Sequence, residues 1–340
     1  MAVAAAQIAR YRRLLGLPFA FETGVNYLRP DPRDMRDGEF FAALANTADC
    51  GILLDLHNLH ANERNGRESL RDVVAALPPG KILEIHVAGG NDLEGYWLDS
   101  HAGLVPESLL EALEALLPTL PCLQAVTFEI LPMHVERTGL DAIGRQLEQL
   151  RSLCDRAQPR SALPARAPTL MFGECGPSFV DERASTVVRE WEAAQCAAID
   201  SASPVDPGHA IYRRLIADFR SGAVAQCLRG TVTLLFLSLG ETRTTELMQH
   251  YLREHPARQF PDDEALQFGR YLRDLDLRVP FLTDVQAFET AVLEVRQKGE
   301  PTTVIVEHDP EIVFDALLEG RAPGDLPRAP TRIELSPRAS

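Results

Sequence analysis

Gly51-Ile52-Leu53-Leu54-Asp55-Leu56-His57-Asn58-Leu59-His60 is a short apolar run that ends abruptly in metal-ligand residue types. A continuous Ile/Leu run of this kind reads as a buried strand of a parallel sheet. Asp55 is out of place at the end of such a strand unless that end opens into a polar site. The pattern recurs along the chain. Phe19-Ala20-Phe21-Glu22 ends in a carboxylate, Ile82-Leu83-Glu84-Ile85-His86 in an imidazole, and Ala125-Val126-Thr127-Phe128-Glu129 in another carboxylate. These runs start roughly thirty to forty residues apart with helical patterns between them, which is the rhythm of successive βα units. A polar residue at the same end of every strand predicts one shared site at the C-terminal rim, where β/α barrels and open α/β sheets place their chemistry.

The bulk composition narrows the function. A chain of 340 residues is long enough for one large or two ordinary domains. Against 34 basic residues stand 49 acidic ones, a net charge of −15. Such a field repels phosphate backbones and argues against nucleic-acid or anionic-membrane partners. The six cysteines are scattered with no Cys-x-x-Cys pair, which fits neither a zinc ribbon nor a disulfide scaffold but does fit a reducing cytoplasm. The N-terminal segment carries arginines where a signal peptide needs an apolar core, and no apolar run reaches membrane-spanning length. The sequence therefore predicts a cytoplasmic protein.

Taken in order, the chain opens on a helix over 4–16, with Ile8, Tyr11, Leu14 and Leu15 at helical spacing. Further helices are expected over 39–45, through Leu70 to Leu77, over 107–116 and on Leu140, Ile143, Leu147 and Leu150, with polar loops at 30–38 and 62–66. Tyr96 to Gly103 extends the loop after the third strand and adds two more ligand types. Residues 156–184 read as a Pro/Ala-rich linker. Beyond it, helical patterns at 183–201, 209–221, 224–238, 241–254, 263–274 and 281–298 lead into a small terminal sheet of Thr302–Val306 and Arg332–Leu335, with a helix from Pro310 to Leu318 between. The predicted fold is α/β: a partial TIM-type β/α barrel of four units in residues 1–155, then a mostly helical domain, 185–340, with a small C-terminal sheet.

Seven residues on or just past strand ends carry the chemistry: Glu22, Asp55, Asn58, His86, Asp99, His101 and Glu129. Mixed carboxylate and imidazole donors suit Fe, Mn or Zn. So many carboxylates in one site repel one another unless cations bridge them, which makes more than one metal reasonable. Asp99 and His101, one residue apart, face the same way in an extended segment. Glu84 bears the same relation to His86 but lies deeper. His57 and His60 are candidate catalytic groups that line the pocket beside Asn58. His209, His250, His255 and His308 stand isolated and read as surface or capping groups; His134 and Cys122 read as structural. Glu174-Cys175-Gly176 reads as a plain loop, with a reactive thiol as the alternative.

Five motifs occur in the order of one family: Phe-Glu-Thr-Gly-Val-Asn-Tyr-Leu (21–28), Leu-Leu-Asp-Leu-His-Asn-Leu-His (53–60), Glu-Ile-His-Val-Ala-Gly-Gly (84–90), Leu-Asp-Ser-His-Ala-Gly (98–103) and Thr-Phe-Glu-Ile (127–130). Residues 1–155 resemble the multinuclear non-heme iron-dependent oxidative enzymes, β/α barrels that modify ribosomally made peptides and include the methanobactin-forming oxidase. The resemblance implies that the seven residues bind two or three irons. It also implies that dioxygen is consumed and that the cysteine thiolate of a precursor peptide joins one iron. His57 stands where the family usually has Asn, and His60 where an aromatic is common. Residues 185–340, through Val279 to Glu289 and the terminal tail, resemble the partner proteins that present the peptide's leader region. Family barrels have eight strands and two further histidine ligands with no counterpart here. The resemblance therefore implies either a start upstream of Met1 or a second chain that completes the barrel. Two rivals remain open: a divalent-metal isomerase or endonuclease-like hydrolase, and a non-catalytic peptide-binding remnant. Iron with dioxygen uptake supports the oxidase reading, and zinc or magnesium with no redox chemistry the isomerase or hydrolase.

Overall fold

A computed structural model of the chain describes residues 1–157, 182–201, 206–275 and 277–337. The linker expected over 156–184 lies almost wholly outside the described residues, as does the Glu174-Cys175-Gly176 loop. Two compact units divide the chain, Met1–Tyr212 and Arg213–Ser340.

In the first unit the alanine-rich segment Ala2–Leu15 forms α1, as its high helix propensity dictates. Gly16 ends it in the left-handed region, φ 63°, with its N–H returned to the Arg12 carbonyl. Then follow β1 (Ala20–Glu22), α2 (Asp37–Thr47), β2 (Gly51–Asp55), α3 (Leu56–Arg64), α4 (Leu70–Ala76) and β3 (Ile82–Ala88). A hairpin of β4 (Asn91–Leu93) and β5 (Tyr96–Leu98) precedes α5 (Glu107–Leu116), β6 (Ala125–Glu129), α6 (Pro132–Thr138), α7 (Leu140–Ala157) and α8 (Glu182–Asp200). The four expected strands form one parallel sheet in the order β1-β2-β3-β6, so every C-terminal strand end lies at the same rim. Ile52, Leu54, Ile82, Ile85 and Val87 of the sheet pack on Leu109 and Leu113 of α5 and Leu150 and Leu153 of α7 in one continuous core. Burial of this apolar surface is the main force holding helices to sheet.

The register between β2 and β3 slips once. Ile52 pairs with Ile82, but Leu53 pairs with Glu84, which leaves Leu83 as an extra residue. Gly51, without a side chain, leaves room for the displaced Leu83 side chain. After the slip, Asp55 stands opposite His86.

The structure corrects three local expectations. Residues 56–64 are helical, so His57, Asn58 and His60 lie on the first turns of α3 rather than on the end of the strand stretch. The polar loop expected at 62–66 shrinks to the turn at Asn65–Gly66. His134 lies on a short helix, α6, that the pattern does not announce.

The second unit holds most of α9 (Pro207–Cys227), then α10 (Arg229–Glu254), α11 (Pro261–Arg273), α12 (Leu282–Lys298), β7 (Thr302–Val306), α13 (Pro310–Leu318) and β8 (Thr331–Leu335). β7 and β8 pair antiparallel, as expected. The helix break expected between 221 and 224 lies instead at the buried Leu228. The break expected between 238 and 241 is a kink at Gly240, φ 78°. Buried Arg220 donates to Glu264 at 2.9 Å and to the carbonyls of Leu252 and His255, and the Tyr251 hydroxyl donates to Glu264 at 2.6 Å. From α12, Glu289 accepts the N–H groups of Gly230 and Thr231, which otherwise lack partners at the start of α10. His250 meets the Tyr271 hydroxyl, and His308 meets Asp284 at 2.7 Å, so both histidines have local structural partners. Among the described residues no single helix is long and apolar enough to cross a membrane.

Candidate metal centre

β2 delivers Asp55 to the rim and stops because α3 starts at the next residue. Asp55 is the N-cap of that helix: its Oδ1 accepts the Asn58 N–H at 2.8 Å. Its own N–H donates to the Thr23 hydroxyl at 2.9 Å, which ties the end of β2 to the residue after β1. The side chain is fully buried, and its Oδ2 has no hydrogen-bond partner.

His86, on β3, faces Asp55 through the sheet register. Its Nε2 lies 3.3 Å from Glu84 Oε1, and that oxygen also accepts the Thr127 hydroxyl at 2.7 Å. This arrangement assigns the ring proton to Nε2 and leaves the Nδ1 lone pair for the site. Nδ1 is buried without a hydrogen-bond partner, 3.7 Å from Glu22 and 3.3 Å from Glu129. Glu84, ranked lower from its depth in the strand, orients the imidazole.

The segment after the β4–β5 hairpin brings the other pair. Asp99 Oδ1 lies 2.8 Å from His101 Nε2, and that nitrogen is 3.5 Å from Glu129 Oε2. The two side chains converge, though not through extended backbone: His101 is left-handed, φ 46°. Its carbonyl accepts the Leu131 N–H at 3.1 Å, and the next amide, of Ala102, donates to Gly89 at 2.7 Å. Gly89 is a close-approach position, because a Cβ there would run into the Ala102 and Leu104 carbonyls.

Two donor groups result. Glu22, Asp55 and His86 offer atoms within 4.8 Å of one another, and so do Asp55, His101 and Glu129. Asp55 belongs to both. Asp99 adjoins the second through His101, and Asn58 Oδ1 is buried and unpartnered one helical turn beyond Asp55. His57 is fully buried behind Asp99, with Nε2 at 3.3 Å from the Leu98 carbonyl and 4.0 Å from Asp99. His60 lies outside both groups and packs edge-on against Trp97, whose ring also carries the Arg64 guanidinium at 4.2 Å.

The electrostatics follow from burial and crowding. Burial, with the nearby Asp99 and Glu22 charges, pushes the Asp55 carboxyl up to about 8. The hydrogen bond to Asp99, with the surrounding carboxylates, raises His101. Burial lowers both His57 and His60. A buried carboxylate with a vacant oxygen is costly unless a proton or a cation satisfies it. The unpartnered Asp55 Oδ2 and His86 Nδ1, with two mixed oxygen and nitrogen donor groups, fit divalent transition metals.

Sequence reasoning missed the supports. Thr127 lies two residues before Glu129 on the same strand face, a signal the sequence contains. Thr23 follows Glu22 directly. Tyr27, whose hydroxyl accepts the Asp99 N–H at 3.1 Å and is pushed up to about 12 by burial, belongs to the 21–28 motif, but nothing in its spacing shows that it supports Asp99.

Residues 1–156 match the family described as the RiPP precursor modification enzymes MbnB/TglH/ChrH, which bears out the resemblance over the segment that holds both donor groups. Similar proteins include a UPF0276 protein of Anaeromyxobacter sp. (strain Fw109-5), 37% identical over 105 residues covering 31% of this chain and 37% of that protein. A UPF0276 protein of Chromobacterium violaceum is 35% identical over 105 residues, 31% of this chain and 38% of that protein. One of Caulobacter vibrioides is 30% identical over 115 residues, 34% of this chain and 41% of that protein. The chain thus spans well under half the length of these curated relatives.

Proposed function

We propose that this chain oxidises a ribosomally made precursor peptide at cysteine, using two or three irons and dioxygen, with the family match over residues 1–156 as the ground for the peptide substrate. The observation that carries the metal part is the shared Asp55, a buried carboxylate common to two donor groups with one oxygen vacant. Glu22, Asp55, His86, His101 and Glu129, with Asn58 and Asp99 beside them, would hold the metal. Iron there would supply one-electron and dioxygen chemistry that no side chain provides.

The chain's own residues do the rest. Glu84 and Thr127 fix the His86 tautomer. Asp99, 2.8 Å from His101 Nε2, would orient that imidazole toward the site. Buried His57 stays neutral near pH 7, and at 4.0 Å from Asp99 it lines the pocket wall. Glu22 is half exposed, so an extended peptide can approach from its side. In this proposal residues 185–340 present the peptide's leader, a role supported by the likeness of Val279 to Glu289 and the terminal sheet to partner proteins. The scattered free cysteines fit a cytoplasmic site of action.

The test is metal analysis and dioxygen uptake with a cysteine-containing precursor peptide encoded beside this gene. Iron above one equivalent and peptide-dependent dioxygen consumption are expected. Zinc or magnesium with no redox turnover would replace this proposal with the isomerase or hydrolase alternative.

A further inference from the structure

The loop that follows β1 is fixed by side chains from three directions. Asn62 of α3 accepts the Asn26 N–H at 2.7 Å and donates to the Gly24 carbonyl at 3.1 Å. Arg67 donates to the Leu28 carbonyl at 2.6 Å and pairs with Asp37. The third set comes from Asp206 to Tyr212, the first residues of α9 and the one before it, far downstream of the family-matched segment. Asp206 accepts the Arg29 N–H with one oxygen and the Gly208 N–H with the other, both at 2.8 Å. The Tyr212 hydroxyl accepts the Tyr27 N–H at 3.3 Å, and the two rings meet edge to face at 5.3 Å. At Gly208 the backbone lies so close to the Tyr27 carbonyl that any Cβ would collide with it.

Tyr27 is the residue these contacts hold, and Tyr27 reaches the candidate metal centre. Its hydroxyl accepts the Asp99 N–H at 3.1 Å, and Asp99 Oδ1 lies 2.8 Å from His101. The ring is almost fully buried between Tyr212 and Tyr96, so the hydroxyl has little freedom to move. An unbroken run of contacts therefore leads from Gly208 and Tyr212 through Tyr27 to Asp99, all within the first compact unit.

We propose that Asp206, Gly208 and Tyr212 are positioning residues of the metal centre, which set the place of Asp99 through the Tyr27 hydroxyl. The inference rests on the metal-centre proposal above. It assigns to a segment outside the family-matched residues a task in the site itself. A ligand displaced by a fraction of an ångström weakens a metal site strongly, because supporting contacts typically govern affinity by 10- to 100-fold.

The experiment uses the full chain and two readouts. Amide exchange at Asp99, followed by mass spectrometry in the metal-free protein, reports the Tyr27 contact directly. Titration with Co2+ alone, read by its visible absorption, reports the centre. Tyr27→Phe removes the acceptor, Tyr212→Phe loosens its support, and Gly208→Ala displaces the Tyr27 carbonyl from outside the site. Each variant is expected to exchange at Asp99 at least about tenfold faster, to bind Co2+ at least about tenfold more weakly, and to shift the Co2+ band. Far-ultraviolet circular dichroism should stay unchanged, and Tyr212→Phe keeps the test open if Gly208→Ala does not fold. Unchanged exchange at Asp99, with Co2+ bound normally, overturns the inference alone. Faster exchange with an unchanged Co2+ band and affinity overturns it too, since Asp99 placement would then not matter to the centre. Wild-type protein that binds no Co2+ overturns the metal-centre proposal and the inference with it.

Discussion

One carboxylate oxygen of Asp55 accepts the backbone N–H of Asn58 at 2.8 Å, while the other is buried without a hydrogen-bond partner. A single side chain thus closes a helix and opens a site. The two tasks separate by substitution. Asp55→Asn keeps an oxygen for the cap and removes the charge. Its bound metal should fall by at least half in elemental analysis, with helix content intact. Asp55→Ala should lose the metal and, in addition, about 0.5–2 kcal/mol of stability from the cap. His86→Ala should lose metal alone. Wild-type metal content in all three variants removes both residues from the ligand set.

The raised carboxyl of Asp55 gives the metal-free protein a defined pH dependence. In the unfolded chain this group ionises near pH 4, as an ordinary Asp does. Folded, it keeps its proton up to about 8 because of burial. The folded state binds more protons than the unfolded state across that interval, so stability falls as pH rises. The contribution is complete below about pH 4 and is lost as pH passes through about 8. At the proposed centre a divalent cation would take the proton's place, so metal affinity is expected to rise over the same window. Denaturation midpoints at pH 5 and above 8 should fall for the metal-free wild type relative to Asp55→Asn. Parallel behaviour of the two proteins disproves the assignment.

Gly90 lies where a Cβ would meet the His57 ring at 2.6 Å, the Trp97 indole nitrogen at 2.6 Å and the Leu98 carbonyl at 2.7 Å. Backbone and rings there have no free space. Gly90→Ala should cost roughly 1–3 kcal/mol in urea denaturation, the usual range for overpacking. A loss below about 0.3 kcal/mol would mean that the hairpin relaxes freely, which is less than such overpacking normally allows.

In the second unit, Glu264 compensates a buried guanidinium. The Arg220 and Glu264 side chains are 7% and 2% exposed, and the ion pair is 2.8 Å long. Glu264→Ala strands the charge and should destabilise the chain by about 3–5 kcal/mol. The measurement is the urea midpoint of the full chain. A loss under about 1 kcal/mol would show that water reaches Arg220, as at an ordinary surface pair.

The sheet was legible because β2, β3 and β6 carry short apolar runs that meet a polar residue at a regular spacing with helical patterns between them. Leu56 to His60 was harder. Its Leu-His-Asn-Leu-His alternation mimics a continuing strand, and only the cap made by Asp55 shows that a helix has begun. Asp99 and His101 converge through a left-handed turn at His101, which spacing cannot reveal, and not through the extended backbone their spacing suggests. Tyr27 stands inside the 21–28 motif without a role that its spacing reveals, and neither Tyr212 nor Asp206 carries any signal in the sequence. A lone Tyr reads as core, and their roles depend on contacts across 185 and 177 positions of sequence.

The slipped pairing at Leu83 means that the centre is specified by a count as well as by residue types. With Ile52 opposite Ile82 and no extra residue, Asp55 would stand across from Ile85, and His86 would turn to the other face. One surplus position places imidazole and carboxylate side by side. Many substitutions at Leu83 leave that arithmetic intact, and deleting Leu83 would close the bulge with Asp55 still opposite His86; losing Glu84 or Ile85 with the bulge kept would instead bring Val87 opposite Asp55 and turn His86 to the other face. The pairing is therefore constrained by length as well as by letter: past Leu83, one residue gained or lost before His86 would move the imidazole off Asp55 even with every side chain kept.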